Sequence, residues 1–168
     1  MDKIVDSFRF VDPLTQKVIK NWIKIETTRP IPWTPLIKPL SECIVALLST
    51  GGIALKTDQP FSQEGERQNP WWGDPSYRII PRSTTSSEIK SYHLHINTAL
   101  VQSDLNCLLP IDRLVEMEKN GEIGQAALSH YSTMGYILNP QELLEKTVPK
   151  IVQHLKDERV DILVLVPA

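Results

Sequence analysis

The arrangement of apolar and polar residues along this chain predicts where its helices and strands lie. Between residues 12 and 25 apolar residues recur at spacings of three and four, and Asp12 followed by Pro13 is typical of a helix start. Unbroken apolar runs occupy 44–48 and 162–166. Because such runs are typical of strands buried on both faces of a parallel sheet, we predict an amphipathic first helix and two central strands.

The second half of the chain alternates between strand-like and helix-like segments. Residues 91–97 and 126–136 have the pattern of strands, the second followed by a loop, whereas 109–121 and 139–157 have helical spacing after a proline. Pro149 is expected to kink or divide the last helix. This alternation implies right-handed βαβ crossovers, so we predict an α/β fold with three layers, a mainly parallel sheet and flanking helices.

Prolines and polar residues interrupt the first half of the chain. Four prolines within 27–40 exclude a regular helix or a central strand there, so we predict an N-terminal helix with a proline-rich arm, 1–32, and an α/β domain, 33–168. Residues 58–82 are polar, and the two adjacent tryptophans at 71–72 indicate that this long excursion is ordered. The tryptophans form either a local packing anchor or a platform for a substrate.

Composition and charge exclude several classes of protein. The 168 residues suit a single domain, and a net charge of -2 with a pI of about 6.1 gives no basic surface for a nucleic acid. No apolar run approaches the roughly 20 residues of a membrane span, and the N-terminus lacks the apolar centre of a signal peptide. We therefore predict a cytoplasmic protein. Cys43 and Cys107 belong to no C-x-x-C motif and are predicted to be reduced thiols in the core.

The histidines are the first candidates for chemistry. His93 and His95 are two residues apart, so on a strand both side chains would point to one face, but a metal site would need a third ligand such as His130 or Asp104. No H-x-x-x-H or C-x-x-C accompanies the pair, so we predict no metal. His130, beside Ser132, lies either at the sheet edge where α/β active sites form or in a structural hydrogen bond, and both alternatives stay open.

A second group of polar residues lies between apolar ones. Asp104, Asn106 and Asp112 are interspersed with leucines and an isoleucine, so some of them must be partly buried and need partners. They either cap helix ends or line a polar pocket, and Asp112 with Arg113 is also an ordinary pairing at a helix start. No G-x-G-x-x-G, P-loop or G-x-S-x-G motif indicates nucleotide binding or hydrolase chemistry.

An ordered set of short motifs resembles a known family. The motifs are GDPSYRIIP, SYH, DLN, PIDRL, GEIG, SHYSTMGY and VDILVLVPA. In this order and spacing they are similar to the D-proline reductase selenoprotein subunit and, more distantly, to selenoprotein B of the glycine, sarcosine and betaine reductases. The resemblance covers Trp33 to Ala168. The stretch HLHINTALVQ lacks the glycine and aspartate residues of D-proline reductase, which leaves the substrate open.

The resemblance implies a selenol- or thiol-dependent reductase that cleaves a C–N bond of a small amino-acid-like substrate. In the family, the strand that matches DILVLVPA is followed directly by the catalytic selenocysteine or cysteine. The nucleophile is therefore expected directly after Ala168, and no catalytic residue is expected within the chain itself. By this resemblance the chain would be an N-terminal portion of the reductase, without activity of its own. The alternative is a non-catalytic binding or scaffold subunit.

The resemblance also implies a site and partners. Seven residues fall on family motif positions and are expected to line the substrate pocket: His93, Asp104, Asn106, Asp112, Arg113, His130 and Gly135. No cofactor is expected in this chain. The implied partners are a subunit whose pyruvoyl group holds the amino acid as an imine, and a dithiol reductant. A homo-oligomer is also expected, because an incomplete sheet exposes an apolar edge or face that another copy can cover.

Overall fold

The elements follow the predicted alternation closely in a computed structural model, which describes residues 7–25, 30–69, 72–94 and 96–168. The helices are α1 (Pro13–Ile25), α2 (Gln63–Gln68), α3 (Thr98–Ser103), α4 (Ile111–Lys119) and α5 (Val148–Asp157). The strands are β1 (Ile44–Ser49), β2 (Ile53–Leu55), β3 (Tyr77–Pro81), β4 (Ile89–Ser91), β5 (Gln125–Ala126), β6 (Ser129–Thr133) and β7 (Ile162–Val166). Contacts divide the chain into two units, 1–36 and 37–168.

The first unit contains helix α1. Its start is the predicted one, because an Asp12 carboxylate oxygen accepts hydrogen bonds from the backbone N–H groups of Leu14 and Thr15, at 3.0 and 3.1 Å. These bonds satisfy two of the amide groups that a helix leaves unpaired at its N-terminus. Residues 30–39, which contain the four prolines, form no helix or strand.

The second unit is an α/β domain built on a mostly parallel sheet, as predicted. Strand β1 pairs in parallel with β5 at its beginning and with β6 at its end, while β7 runs parallel along its other side. Strand β3 is antiparallel to β6 and forms the opposite edge. A separate pair, β2 and β4, is antiparallel. Strand β1 therefore lies at the centre of the sheet.

Each face of the sheet carries its own set of side chains. His130 is paired with Ile80, and Ile80 belongs to the main apolar cluster together with Leu47, Leu109 and Ile111. Adjacent strand residues point to opposite faces, so Tyr131 lies on the other face, where its ring stacks with that of His154 from α5 at 6.5 Å. Helices α4 and α5 thus contribute to different faces.

The last helix begins irregularly, as the position of Pro149 predicts. A π-helical turn, Leu143–Thr147, precedes α5, and the Val148 N–H donates to the Leu143 carbonyl. Proline has no N–H, and in an α-helix its ring would clash with the carbonyl four residues before it. The wider turn avoids that clash, and the Thr147 hydroxyl donates to the Pro75 carbonyl at 2.6 Å.

Three expectations need correction, and one strand was missed. Strand β4 ends at Ser91, so His93 is not on a strand, and His95 lies outside the described residues. Strand β3 was not predicted. Strand β7 was expected to be buried on both faces, but among the described residues it pairs with β1 alone, and Leu165 is 66% exposed. Cys107 is exposed rather than in the core, whereas Cys43 is buried.

Candidate active site

A tight turn after β1 organises the carboxyl edge of the sheet. Gly52 has a φ of +58°, and a Cβ atom built on it would lie 2.6 Å from the Met134 sulfur and 3.3 Å from the His93 backbone nitrogen. Its N–H donates to the Thr133 carbonyl at 2.9 Å and its carbonyl accepts from the Tyr92 N–H at 2.8 Å. A glycine is required here because only it combines this φ with so little space. The turn brings the residues after β6 and after β4 together.

A cavity of about 330 Å³ opens beside this turn. It is lined by His93, Gly135, Tyr136 and Ala168. Gly135 follows β6 and Ala168 follows β7, so the cavity lies at the carboxyl ends of two parallel strands, where α/β domains usually bind ligands. His93 is buried, while Ala168 is exposed. This arrangement is the candidate active site.

Two of the seven predicted pocket residues, His93 and Gly135, line this cavity. Three of the others form a hydrogen-bonded cap at the start of α4. The Asn106 amide donates to the carboxylates of Asp104 and Asp112 at 2.9 and 2.8 Å, and its oxygen accepts from the Asp112 N–H at 3.0 Å. The bonds from Asn106 hold the pKa of Asp104 below its ordinary value. These contacts match the capping alternative, and the pocket alternative also holds for Asn106 and Asp112, which line a second cavity.

A second cavity, of about 420 Å³, lies beside this cap. Its lining includes Arg82, Asn106 and Asp112 together with the hydroxyl-rich segment 83–86. The Arg82 N–H donates to the Leu128 carbonyl just before β6, so this cavity is near the amino end of that strand. Asn106 and Asp112 are therefore placed away from the carboxyl edge. Arg113 does not line either cavity, and its guanidinium pairs with Glu116 at 2.9 Å.

His130 occupies the structural position that was one of its two alternatives. It is fully buried near the amino end of β6, and its Nδ1 accepts a hydrogen bond from the Leu47 N–H at 3.2 Å. Leu47 lies between the residues of β1 that pair with β5 and those that pair with β6. At this point the imidazole takes the place of a backbone carbonyl as the hydrogen-bond acceptor. Burial, assisted by the nearby charge of Arg82, lowers the pKa of His130 to about 4, so the ring is neutral at pH 7.

The structure describes one residue of the tryptophan pair, Trp72. Trp71 lies outside the described residues. Trp72 packs on Gly65, where a Cβ atom would overlap the indole Cζ3, so the ring requires a glycine beneath it. Trp72 also lines a cavity of about 400 Å³ with Lys146 and Lys150, apart from the candidate active site. The contact with Gly65 matches the packing-anchor alternative.

Thr50 and Tyr136 were missed by the sequence reasoning. Thr50 follows β1 directly, and the Ala168 N–H donates to its hydroxyl oxygen at 2.8 Å. The rule that ligands lie after the carboxyl ends of central strands could have indicated Thr50. Tyr136 lies in the motif SHYSTMGY, immediately after Gly135, and lines the same cavity.

An α/β domain with a cavity at the carboxyl ends of its parallel strands belongs to the class in which ligand binding and catalysis occupy that edge. A sequence model of the glycine/sarcosine/betaine reductase selenoprotein B family matches residues 6–168. The chain belongs to this family.

Several curated proteins are similar in sequence. The chain is 31% identical over 149 residues to the D-proline reductase subunit gamma of Acetoanaerobium sticklandii, which covers 89% of this chain and 58% of that protein. It is 29% identical over 131 residues to the glycine reductase complex component B subunit gamma of Carboxydothermus hydrogenoformans, covering 76% and 29% of the two chains. It is 29% identical over 162 residues to the betaine reductase complex component B subunit beta of Peptoclostridium acidaminophilum, covering 92% and 36%.

These relatives are subunits of reductases, two of the three are named as complex components, and the chain spans between 29% and 58% of the length of the three proteins. No solved structure matches the chain. Within the part of the chain that the structure describes, no helix has the length and apolar character of a membrane span.

Proposed function

We propose that this chain is the N-terminal portion of a cytoplasmic selenol- or thiol-dependent reductase that cleaves the C–N bond of a small amino-acid-like substrate. The nucleophile would be the residue directly after Ala168. One observation carries the proposal: Ala168 lies at the carboxyl end of β7 and lines a cavity with His93 and Gly135, two of the motif positions. The next residue would therefore enter the site from the edge that α/β enzymes use.

The chemistry follows from an anionic nucleophile at that edge. The selenolate or thiolate donates an electron pair to the α-carbon of an amino acid held by the pyruvoyl group of a partner subunit, while the C–N bonding pair leaves on nitrogen. A thiol then attacks the selenium or sulfur, and the carbon leaves with the bonding pair and takes up a proton. A dithiol reductant supplies two electrons to reduce the resulting Se–S or S–S bond.

This chain contributes the walls of the site rather than its nucleophile. His93, Gly135 and Tyr136 line the cavity beside Ala168. We predict that the chain alone does not turn over D-proline with a dithiol. The other proposed partner is a second copy of the chain.

Alkylation of an extended protein tests the proposal. The protein is extended past Ala168 by its downstream coding segment, with a cysteine as the first added residue, and iodoacetamide labelling is followed across pH. We expect this added cysteine to react faster at pH 6 to 7 than the exposed thiol of Cys107, which serves as an internal reference. Equal rates would refute the placement of the nucleophile, as would turnover of D-proline by the 168-residue chain.

The nucleotide sequence after codon 168 separates the proposal from the scaffold alternative. An in-frame TGA or cysteine codon, followed by coding sequence for a cysteine-containing helix, supports the reductase. Any other codon at this position favours a non-catalytic subunit that assembles with a pyruvoyl-type partner.

A further inference from the structure

The residue after β1 is bonded twice to the end of β7. The Thr50 N–H donates to the Val166 carbonyl at 3.1 Å, which continues the pairing of the two strands by one residue. Beyond the strand, the Thr50 hydroxyl oxygen accepts from the Ala168 N–H at 2.8 Å. Pairing of β7 with β1 ends at Val166, so the hydroxyl of Thr50 fixes the backbone where regular strand pairing has stopped.

Gly135 gives Thr50 the space for this position. A Cβ atom at residue 135 would lie 3.0 Å from the Thr50 carbonyl oxygen and 3.2 Å from its Cβ and Oγ1 atoms. Gly135 does not have a positive φ, so the glycine is required by close contact rather than by backbone conformation. Thr50 thus joins three chain segments: the end of β1, the residues after β6 and the residues after β7.

We infer that Thr50 is a positioning residue for the nucleophile site. The inference rests on the proposed function, since it concerns the residue after Ala168. A threonine hydroxyl that accepts one hydrogen bond still has its own proton to donate. That proton is one residue away from the expected selenolate or thiolate, and donation to an anion favours the charged form. Thr50 therefore both holds the backbone before the nucleophile and favours its ionisation.

The side chain of threonine suits this role for a second reason. Its β-branch restricts rotation about χ1, so the hydroxyl is held in a preferred direction before Ala168 binds to it. Valine has nearly the same shape but no hydroxyl, and serine has the hydroxyl without the branch. The pair Thr50→Val and Thr50→Ser therefore separates loss of the hydrogen bond from loss of packing.

The first measurement uses the 168-residue chain and does not depend on the nucleophile. Amide hydrogen exchange at Ala168 is followed by NMR in the wild type and in both variants. We expect exchange to be at least fivefold faster in Thr50→Val, because the N–H loses its acceptor, and to stay within twofold of the wild type in Thr50→Ser. Equal exchange in the wild type and Thr50→Val would overturn the inference.

The second measurement uses the extended protein, in which a cysteine directly follows Ala168. In Thr50→Val we expect alkylation of this added cysteine at pH 6.5 to slow by roughly fivefold, the size of one hydrogen bond's net contribution, with the Cys107 rate unchanged. Thr50→Ser should restore the rate and the pH profile. If the added cysteine is activated equally in wild type and Thr50→Val, the role of Thr50 is wrong while the proposed function stands. If it is not activated in the wild type, the proposed function fails instead.

Discussion

Replacement of His130 gives the sharpest test of the interior, because one buried ring performs two separable tasks. The Nδ1 atom of His130 accepts a hydrogen bond from the Leu47 N–H. The ring is also neutral at pH 7, because its pKa in the folded protein is about 4. In the unfolded chain the pKa returns to the ordinary 6.5. Between these two values the unfolded chain binds more protons than the folded one, so stability falls as the pH is lowered from 6.5 to 4.

The expected magnitude follows from that difference. At about 1.4 kcal/mol for each pH unit, the interval from 6.5 to 4 corresponds to about 3 kcal/mol of unfolding free energy, fully present above pH 6.5 and lost by about pH 4. A loss of this size is a large part of the stability of a typical domain, which is roughly 5 to 15 kcal/mol.

Two variants separate the tasks. His130→Asn keeps an acceptor for the Leu47 N–H and does not titrate, whereas His130→Leu removes both properties. Urea unfolding at half-unit steps from pH 7.5 to 4.5 should show that both variants lose the contribution of His130 to the pH dependence. At pH 7 the leucine variant should be less stable than the asparagine variant by about 1 to 3 kcal/mol, the cost of a buried unpaired N–H. Parallel pH dependence in wild type and His130→Asn would refute the reasoning.

Three further outcomes are expected. Glu118→Gln should reduce the unfolding free energy by about 1 to 2 kcal/mol, because this half-buried carboxylate accepts from both Arg82 and the Ala126 N–H; the control Glu116→Gln, at an exposed pair, should change it by less than about 0.5 kcal/mol. Light scattering should show that the 168-residue chain self-associates, and Leu165→Lys on the edge strand should weaken this association. The control Leu100→Lys, at a similarly exposed position on α3, should leave the association unchanged. A wild-type monomer at high concentration would contradict the prediction. Elemental analysis after dialysis should find no stoichiometric zinc or iron, and one metal per chain would contradict it.

Much of the fold could be predicted because local signals decided it. The helix start at Asp12 and the irregular turn before Pro149 both occur where the residue types require them. Strand β3 was missed because it lies between prolines in a polar segment, and its pairing with β6 is a long-range contact that no local pattern reports. The exposure of β7 was missed for a similar reason, because an apolar run does not reveal whether a neighbouring strand is present.

The candidate site could be predicted only in part. Sequence motifs indicated His93 and Gly135, which line the cavity, but also Asp104, Asn106 and Asp112, which bond to one another. Polar residues a few positions apart satisfy a cap and a pocket equally well in a sequence. Here the structure shows both: the three residues bond to one another at the start of α4, and Asn106 and Asp112 also line the cavity near the amino end of β6, away from the candidate active site.

The π-helical turn before α5 has a consequence for the evolution of this helix. Its i to i+5 bond, from Val148 to Leu143, accommodates one residue more than an α-helical turn does, which rotates the residues before it by about 100° relative to those after it. A relative without a proline at position 149 has no clash to avoid. Such a relative is expected to align with a one-residue gap between 143 and 147, and deleting Lys146 together with Pro149→Ala should reproduce that shorter helix here.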